Sequence, residues 1–442
     1  MISLNKLLQI DSSLAFALAT RAWQAGAGFV TAGLLIRAFT LPELGVYYTM
    51  VSIVGIQAYF ELGILNVLVS FSGHETAAVA AKTENRRQAQ FLLAAARMRD
   101  LIRLSFRWFA VAAVLFGILA LISGLFALSQ SQVAWMGPLL VIVPVASVSF
   151  ALGPASAILE GAGYRDLIYR FRFIQAVMGS FVVWLALAGG FGLWALVAAS
   201  AVQAVMIFYL TFVHKLSFFL KFRDVTSIPS DFSWTRDLLP VQWRMALISA
   251  MFHFATQCFV IIVTMFHGDA ASAPLGMTLS MTSAIQMLAL AWVQSKYSVA
   301  AAYHGAGERE SAGTIWRQTA VVSTGILFLG FAALTFAISC LPLVAPHIQQ
   351  NFLPPWQVVL LGVGCLANHV TAIQGFYVLS RKSKPLLGAS LVGSLSTAAA
   401  VWIGGCLYST SGLVIGYAAA MTLIFAPLHS WSYIQFRKWA PV

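Results

Sequence analysis

Charge is the scarcest property of this sequence. Lysine, arginine, aspartate and glutamate make up 9% of its 442 residues, whereas a soluble domain carries about 25% charged residues. With 60% hydrophobic residues and a mean hydropathy of +0.85, the chain has too few polar groups to cover its surface in water. The composition excludes an ordinary soluble domain and predicts a protein whose solvent is the lipid bilayer.

Cysteine and the motifs of enzymatic sites are also scarce. The four cysteines, Cys258, Cys340, Cys365 and Cys406, lie in apolar runs without metal-ligand spacing, so we interpret them as packing residues. The sequence contains no Walker A motif, no H-E-x-x-H and no G-x-S-x-G. No link predicted on the outer side is long enough for a catalytic domain. We therefore predict no enzyme, no metal site and no cofactor.

Long apolar runs are abundant, and they predict an all-α polytopic membrane protein. One bilayer crossing needs about 20 residues of helix, and the sequence has twelve such runs. They cover residues 12–38, 45–71, 107–128, 136–160, 169–189, 192–213, 238–264, 273–300, 317–343, 353–379, 385–407 and 412–434. Lysine and arginine concentrate in alternate links and in both tails, which predicts cytoplasmic termini. The net charge of +12 therefore indicates membrane orientation rather than nucleic-acid binding.

Two halves of six spans each are the natural division, because both halves begin on the same side. GLWALVAA at 192–199 and GLVIGYAA at 412–419 open the sixth and twelfth spans, a weak sign of internal repetition. We predict an N-terminal lobe at 1–225 and a C-terminal lobe at 226–442.

The links 72–106 and 214–237 are long and basic. Arg99, Arg103 and Arg107 are spaced four apart on one helical stripe, which predicts a helix lying on an anionic leaflet. A docking site for a cytoplasmic partner is the alternative.

Polar residues inside the apolar runs are the candidate site, because a charge at mid-bilayer costs about 2.5–3.5 kcal/mol on insertion scales. In the first span, Gln24 shares a narrow stripe with other polar residues, and Arg21 lies at the edge of that stripe. Glu61 in the second span is expected at nearly the same depth as Arg21. Either the two form an ion pair that ties the helices together, or they line a charged cavity.

The later spans add further polar groups: Arg244, His253, Gln257, Gln294, Lys296, Asn368 and His369. Arg244 either reaches the headgroups or turns into a cavity at the bend expected near Pro240. Lys296 has the same two options. A membrane histidine is more often a hydrogen-bonded packing residue than a proton relay.

Three stretches resemble polysaccharide and O-antigen flippases. LIRAFTLPELGVYYTMVSIVGIQAYFELGILNVLVSF resembles their passage from the first to the second span, and GLWALVAA resembles their sixth-span opening. LLPVQWRMALISAM, with the later AWVQSKY, is similar to a Pro-Phe-Gln-Trp-Arg stretch and its downstream lysine in polysaccharide-export proteins. The similarity covers nearly the whole chain through the order and spacing of these motifs.

The resemblance implies the two-lobed fold of the multidrug/oligosaccharidyl-lipid/polysaccharide (MOP) superfamily, which includes the multidrug and toxic compound extrusion (MATE) transporters. It implies an undecaprenyl-pyrophosphate-linked oligosaccharide as substrate, moved from the cytoplasmic to the outer leaflet of the bacterial inner membrane. By matched motif, Arg21, Glu61, Arg244 and Lys296 would serve this substrate. Membrane lipids, a coupling proton or sodium ion and other polysaccharide-assembly membrane proteins are the expected partners. The alternatives are a multidrug cation exporter of the same fold and a membrane enzyme or scaffold of glycan assembly.

Overall fold

All regular secondary structure in the described part of the protein is helical. The computed structural model describes residues 12–61, 63–80, 87–223, 232–239, 256, 258–305, 308–380 and 386–439. In this part of the chain every regular element is a helix and there is no strand. Eight of these helical segments are long and apolar enough to cross a membrane. The predicted all-α polytopic fold is confirmed.

The helices follow the predicted spans closely in most places. In chain order they are α1 (Ser12–Ala38), α2 (Leu41–Gly55), α3 (Gln57–Glu61), α4 (Ile64–Ala80), α5 (Arg87–Ala127), α6 (Met136–Gly161), α7 (Arg165–Ala188), α8 (Trp194–Tyr209), α9 (Leu216–Arg223), α10 (Phe259–His267), α11 (Asp269–Gly305), α12 (Arg309–Val344), α13 (Pro346–Gln349), α14 (Pro355–Ser380), α15 (Leu387–Ala420) and α16 (Ala426–Trp439). Short π-helical turns extend α8 through Leu210–His214 and join α15 to α16 through Met421–Phe425.

The predicted second span is broken into α2, α3 and α4. Ile56 is a turn between the first two helices, and Gly63 adopts a left-handed φ of 68° between α3 and α4, a conformation that glycine reaches without steric cost. The short α3 carries Gln57 and Glu61 of this span. Non-helical backbone at membrane depth is tolerated where it is buried in protein or lines water, so the break marks a non-lipid environment for Glu61.

Helix α5 is longer than its predicted span. Its 41 residues would extend about 60 Å at 1.5 Å per residue, roughly twice the thickness of the hydrocarbon core. The arginine stripe that begins at Arg99 therefore lies on the same helix as the span, and the predicted boundary at residue 107 is wrong.

The surface of α5 shows what solvent the helix is built for. Val111, Val114, Leu115 and Ile118 are each 52–62% exposed and share one helical face. In water such an apolar stripe would be a liability for aggregation. Next to acyl chains it is the ordinary lipid-facing surface of a membrane helix.

The last two predicted spans form a hairpin. Tyr408 and Ser409 leave helical geometry inside α15, at the link predicted for 408–411. A side-chain carbon on Gly412 would overlap the carbonyl oxygen of Gly404, and one on Gly404 would overlap that of Gly412. The glycines therefore allow the two antiparallel arms to approach at backbone contact.

Contacts between Cα atoms divide the chain into two compact units. The first comprises Met1–Trp23, Val54–Ser123 and Met136–Ser249, and the second comprises Gln24–Ile53, Gly124–Trp135 and Ala250–Val442. In the first unit, Phe150 packs against Phe109 and Phe116 with ring centroids 5.1 and 6.0 Å apart. The predicted lobes, 1–225 and 226–442, divide the chain by order alone and stay a prediction.

In the second unit, α2 packs on α10 and α11. The hydroxyls of Thr49 and Thr264 are 2.7 Å apart and buried. Gly276 of α11 lies directly against the side chain of Tyr48, where any side-chain carbon would overlap the tyrosine. Small residues permit this close approach, and in lipid such packing replaces the hydrophobic driving force that holds soluble helices together.

Candidate functional site

Two groups of polar residues inside the apolar helices are candidate sites, one in each unit. The first group surrounds Arg21 on α1, and it is charged. The second group lines a cavity in the second unit, and it is neutral.

Helix α1 packs on α7 through aromatic side chains within the first unit. Trp23 donates a hydrogen bond from Nε1 to Oγ of Ser180 over 3.2 Å, and its ring lies 5.9 Å from that of Phe181. Two turns nearer the N-terminus, the Phe16 and Phe173 rings are 6.0 Å apart. These contacts orient α1 and thereby the position of Arg21 next to α7.

Arg21 belongs to a polar cluster that also contains Tyr169, Glu160 and Arg172, which we call the Arg21 cluster. Arg21 is half-buried and lies within electrostatic range of the Tyr169 phenol. Tyr169 donates a hydrogen bond to Oε1 of Glu160 (3.1 Å), and Nη2 of Arg172 pairs with Oε2 of the same carboxylate (2.9 Å). The cluster therefore contains the guanidinium groups of Arg21 and Arg172 and the carboxylate of Glu160, which Arg172 contacts directly.

Tyr169, Glu160 and Arg172 were not among the predicted site residues. Glu160 is the last residue of its predicted span and Arg172 lies in the first turn of the next, positions typical of headgroup anchors. The sequence did contain one indication. These residues lie next to the predicted link 161–168, which holds the end of one span and the start of the next at the same depth in the membrane. Only the packing of α1 on α7 brings Arg21 within range of Tyr169.

The threonines of the polar stripe on α1 do not require a water-lined surface. Thr20 donates its hydroxyl to the carbonyl of Phe16 (2.7 Å), and Thr31 donates to the carbonyl of Ala27 (2.8 Å). Threonines satisfied by their own helix are tolerated beside lipid or protein. Gln24 is exposed on the protein surface. The threonines therefore do not mark a water-lined face.

Glu61 is half-buried on the short helix α3, in the same unit as Arg21. The ion pair between Glu61 and Arg21 stays a prediction, as does the alternative of a charged cavity wall. Arg244, His253 and Gln257 lie outside the described residues.

The second unit contains a cavity of about 310 Å³ whose lining has no charged side chain among the described residues. We call it the neutral cavity. Its polar lining residues are Tyr48, Ser52, Thr256, Ser280, Ser283, Gln286 and Asn368. Its lining also includes the aromatic residues Phe259 and Tyr417, whose rings meet edge to face with centroids 5.2 Å apart.

Hydrogen bonds hold the wall of the neutral cavity in place. The Tyr48 hydroxyl donates to Sδ of Met277 (3.2 Å) and lies 3.3 Å from Oγ of Ser280. Asn368, a predicted site residue, is half-buried on α14 and lines this cavity. Hydroxyls and amides both donate and accept hydrogen bonds, so this surface matches a ligand rich in hydroxyl groups.

Lys296 and Gln294 occupy different faces of α11. At about 100° per residue, Gln294 continues the stripe formed by Ser280, Ser283 and Gln286, whereas Lys296 is about 140° from the centre of that stripe. The Lys296 ammonium lies 5.7 Å from the ring centroid of Trp292, one turn earlier on the helix. Gln294 is exposed and Lys296 is half-buried. Lys296 is therefore not part of the neutral cavity, and its role at the substrate stays a prediction.

The histidine of α14 is a packing residue in this structure. His369 is buried, and its Nε2 is 3.1 Å from Oγ of Ser323 on α12. Farther along α14, Oε1 of Gln374 accepts a hydrogen bond from Nδ1 of His429 (2.8 Å), and Nε2 of Gln374 donates one to Oγ of Ser430 (2.9 Å). These neutral contacts join neighbouring helices, the usual role of polar side chains in membrane bundles.

Known structures share this fold at low sequence identity. A MOP superfamily transporter from Pyrococcus furiosus, described by a binding pocket of reverse polarity that suggests a different function, aligns with a TM-score of 0.61 at 14% identity over 99% of this chain and 98% of its own. A multidrug resistance MATE transporter in the inward-facing conformation gives 0.58 at 15% identity over 94% and 100%. An outward-facing MATE transporter gives 0.53 at 15% identity over 98% of each chain.

These likenesses establish the MATE-like fold predicted from the sequence. Comparison with protein-family models and with curated protein sequences gives no match.

Proposed function

We propose that this protein is a transporter that flips an undecaprenyl-pyrophosphate-linked oligosaccharide from the cytoplasmic to the outer leaflet by alternating access. The fold supports transport, because structures of the same fold include an inward-facing and an outward-facing transporter. The sequence resemblance supports the substrate class. We further propose a bacterial inner-membrane location with both termini in the cytoplasm and lobes at 1–225 and 226–442.

The observation that carries the substrate assignment is the presence of two guanidinium groups, those of Arg21 and Arg172, close to Tyr169 in apolar helices. Guanidinium groups form charge-assisted hydrogen bonds with phosphates, so they support a diphosphate as ligand rather than an organic cation. An exporter of organic cations would place carboxylates in its cavity instead. The Pyrococcus furiosus transporter, with its pocket of reverse polarity, supports the view that this fold accommodates such a change.

The neutral cavity supports the sugar part of the assignment. Its hydroxyls, amides and aromatic rings can hydrogen-bond and stack against a glycan without imposing a charge. We assign the diphosphate to Arg21, with Arg244 and Lys296 as further cations, and the sugars to Gln24, His253, Gln257, Gln294 and Asn368. Glu61, on the broken second span, is the proposed coupling group for a proton or sodium ion.

The direct test is flipping by the purified chain in vesicles. A lipid-linked oligosaccharide would be placed in one leaflet, and its appearance in the other would be followed with a membrane-impermeant glycosidase. We expect flipping that empty vesicles lack, and cells without the protein should accumulate the substrate on the cytoplasmic face. Transport of organic cations without flipping would establish the cation exporter instead. Formation of new glycosidic bonds would establish an enzyme.

A further inference from the structure

A second cavity in the first unit combines arginines with an apolar wall. Its volume is about 720 Å³, within the range of ~300–1,000 Å³ typical of ligand pockets. One wall is a single face of α5 formed by Arg99, Ile102, Arg103 and Phe106, which have the spacing of neighbours on successive helical turns.

The opposite wall comes from the end of the sixth span and from α9. It consists of Thr211, Phe212, Leu216, Phe219, Leu220, Phe222 and Arg223. The Phe106 and Phe219 rings join the two walls edge to face, with centroids 5.9 Å apart. The cavity is thus built from two segments far apart in sequence.

The charge in this cavity is available to a ligand. Arg99 is engaged by Asp100, with Nε 2.8 Å from Oδ1 and Nη2 3.1 Å from Oδ2. Arg103 and Arg223 are exposed, and within the described part of the chain neither has an ion-pair partner. Two guanidinium groups therefore face the cavity with their hydrogen-bond donors unused, a suitable arrangement for a phosphate.

The apolar wall determines the class of anion. Phe212, Leu216 and Leu220 are 43%, 38% and 40% exposed, so the cavity opens sideways onto a surface that a bilayer would cover with acyl chains. A water-soluble anion such as inorganic phosphate gains nothing from this wall. A molecule with an anionic head and an apolar tail can contact both the arginines and the apolar wall.

We propose that this cavity is a binding site for one anionic phospholipid of the predicted cytoplasmic leaflet. Arg103 and Arg223 contact its phosphate, and the upper part of its acyl chains packs against Phe106, Phe219 and Leu216. The lipid ties α9 to α5 and so holds the basic segment after the sixth span against the membrane. The site does not depend on transport, so it stands or falls separately from the flippase assignment.

Binding of defined lipids to the purified full-length protein in neutral detergent tests the site. Native mass spectrometry would measure retention of dioleoylphosphatidylglycerol, of dioleoylphosphatidylcholine with the same chains, and of a polyprenyl diphosphate. We expect the wild-type protein to retain one phosphatidylglycerol in preference to phosphatidylcholine. This affinity should fall as ionic strength rises, because salt screens exposed charges.

Substitutions separate charge from packing. Each arginine near a membrane surface contributes about fivefold to anionic lipid binding, so Arg103→Gln with Arg223→Gln should weaken phosphatidylglycerol binding about twentyfold. Arg103→Lys with Arg223→Lys should retain most of it. The matched control is Arg317→Gln, an exposed arginine on α12, which should bind like the wild type.

Four results would overturn the proposal. The first is equal affinity for phosphatidylcholine and phosphatidylglycerol, and the second is wild-type binding by a folded glutamine double variant. The third is retention of the polyprenyl diphosphate without any phosphatidylglycerol, which would make the cavity an entry point for the transported substrate. Equal loss in the lysine and glutamine variants would also contradict a contact based on charge.

Discussion

Polar groups inside the apolar helices are charged around Arg21 in the first unit and neutral around the cavity of the second. The charged groups are held by one another, through Tyr169, Glu160 and Arg172. The neutral groups of the cavity wall are held by short hydrogen bonds such as those of Tyr48. A charge in a membrane protein selects the sign of its ligand, whereas hydroxyls and amides select shape and hydrogen bonding. We therefore propose that the Arg21 cluster receives the diphosphate and the neutral cavity the sugars.

Removal of the charge at Arg21 should have the largest effect. If Arg21 contacts the diphosphate, Arg21→Gln removes a charge-assisted contact worth about 1.5–3 kcal/mol and should slow flipping in vesicles about hundredfold. The matched control is Arg37→Gln, an exposed arginine at the end of the same helix, which should transport normally. Flipping at the wild-type rate by the Arg21 variant would show that the charge of Arg21 does not contribute to transport.

Adding a methyl group where Gly276 contacts Tyr48, beside the neutral cavity, should have the next largest effect. A methyl group at Gly276 would overlap the Tyr48 side chain, and overpacking of this kind costs about 1–3 kcal/mol. We expect Gly276→Ala to lower the melting temperature in detergent. Gly325→Ala is the control, because no atom lies within 4 Å of the added carbon. Equal melting of both variants would show that α2 does not pack on α11 in this way.

A charge placed in the neutral cavity should make this cavity select its ligand by the sign of charge, as we propose for the Arg21 cluster. Asn368→Asp puts a carboxylate where the described lining has none, and repulsion of an anionic substrate should reduce flipping about tenfold. Asn368→Ala is the control for loss of the amide alone and should cost much less. Binding of an organic cation by the aspartate variant alone would sharpen the comparison, whereas equal flipping by both variants would argue that the substrate never enters this cavity.

Loss of the carboxylate in the Arg21 cluster should have the smallest effect. Glu160→Gln removes the partner of Arg172, but the Arg172 side chain is 45% exposed, so water replaces much of the interaction. We expect a loss of about 0.5–1 kcal/mol in the free energy of unfolding. Glu310→Gln, an exposed glutamate at the start of α12, should leave stability unchanged. A much larger loss would mean that Glu160 organises the whole cluster.

Much of the fold follows from hydropathy because the bilayer is a simple solvent. The first span was predicted at 12–38 and α1 occupies Ser12–Ala38, and the turn predicted at 408–411 coincides with the reversal at Tyr408 and Ser409. Where prediction departed from structure, amphipathic or polar sequence was involved. Helix α5 continues through its basic segment, because arginine and alanine are good helix formers and nothing in residues 87–107 stops the helix.

The candidate site was less accessible to prediction. Arg21 and Asn368 were recognisable as polar residues in apolar runs, and each lies in one of the two polar regions. Lys296 was also recognisable, yet it lies on another face of α11 from the neutral cavity. Tyr169 and Glu160 gave no such signal, because their positions near a span end are ordinary for polar residues.

The sequence by itself determined the solvent, the helical class and most span boundaries, because the cost of exposing polar backbone to lipid acts on each segment independently. Only the tertiary structure decided the break around α3, the grouping of Arg21 with Tyr169 and the enclosure of the neutral cavity. Each of these depends on which helices meet and at what distance. That choice rests on side-chain packing between segments far apart along the chain, which no local pattern records.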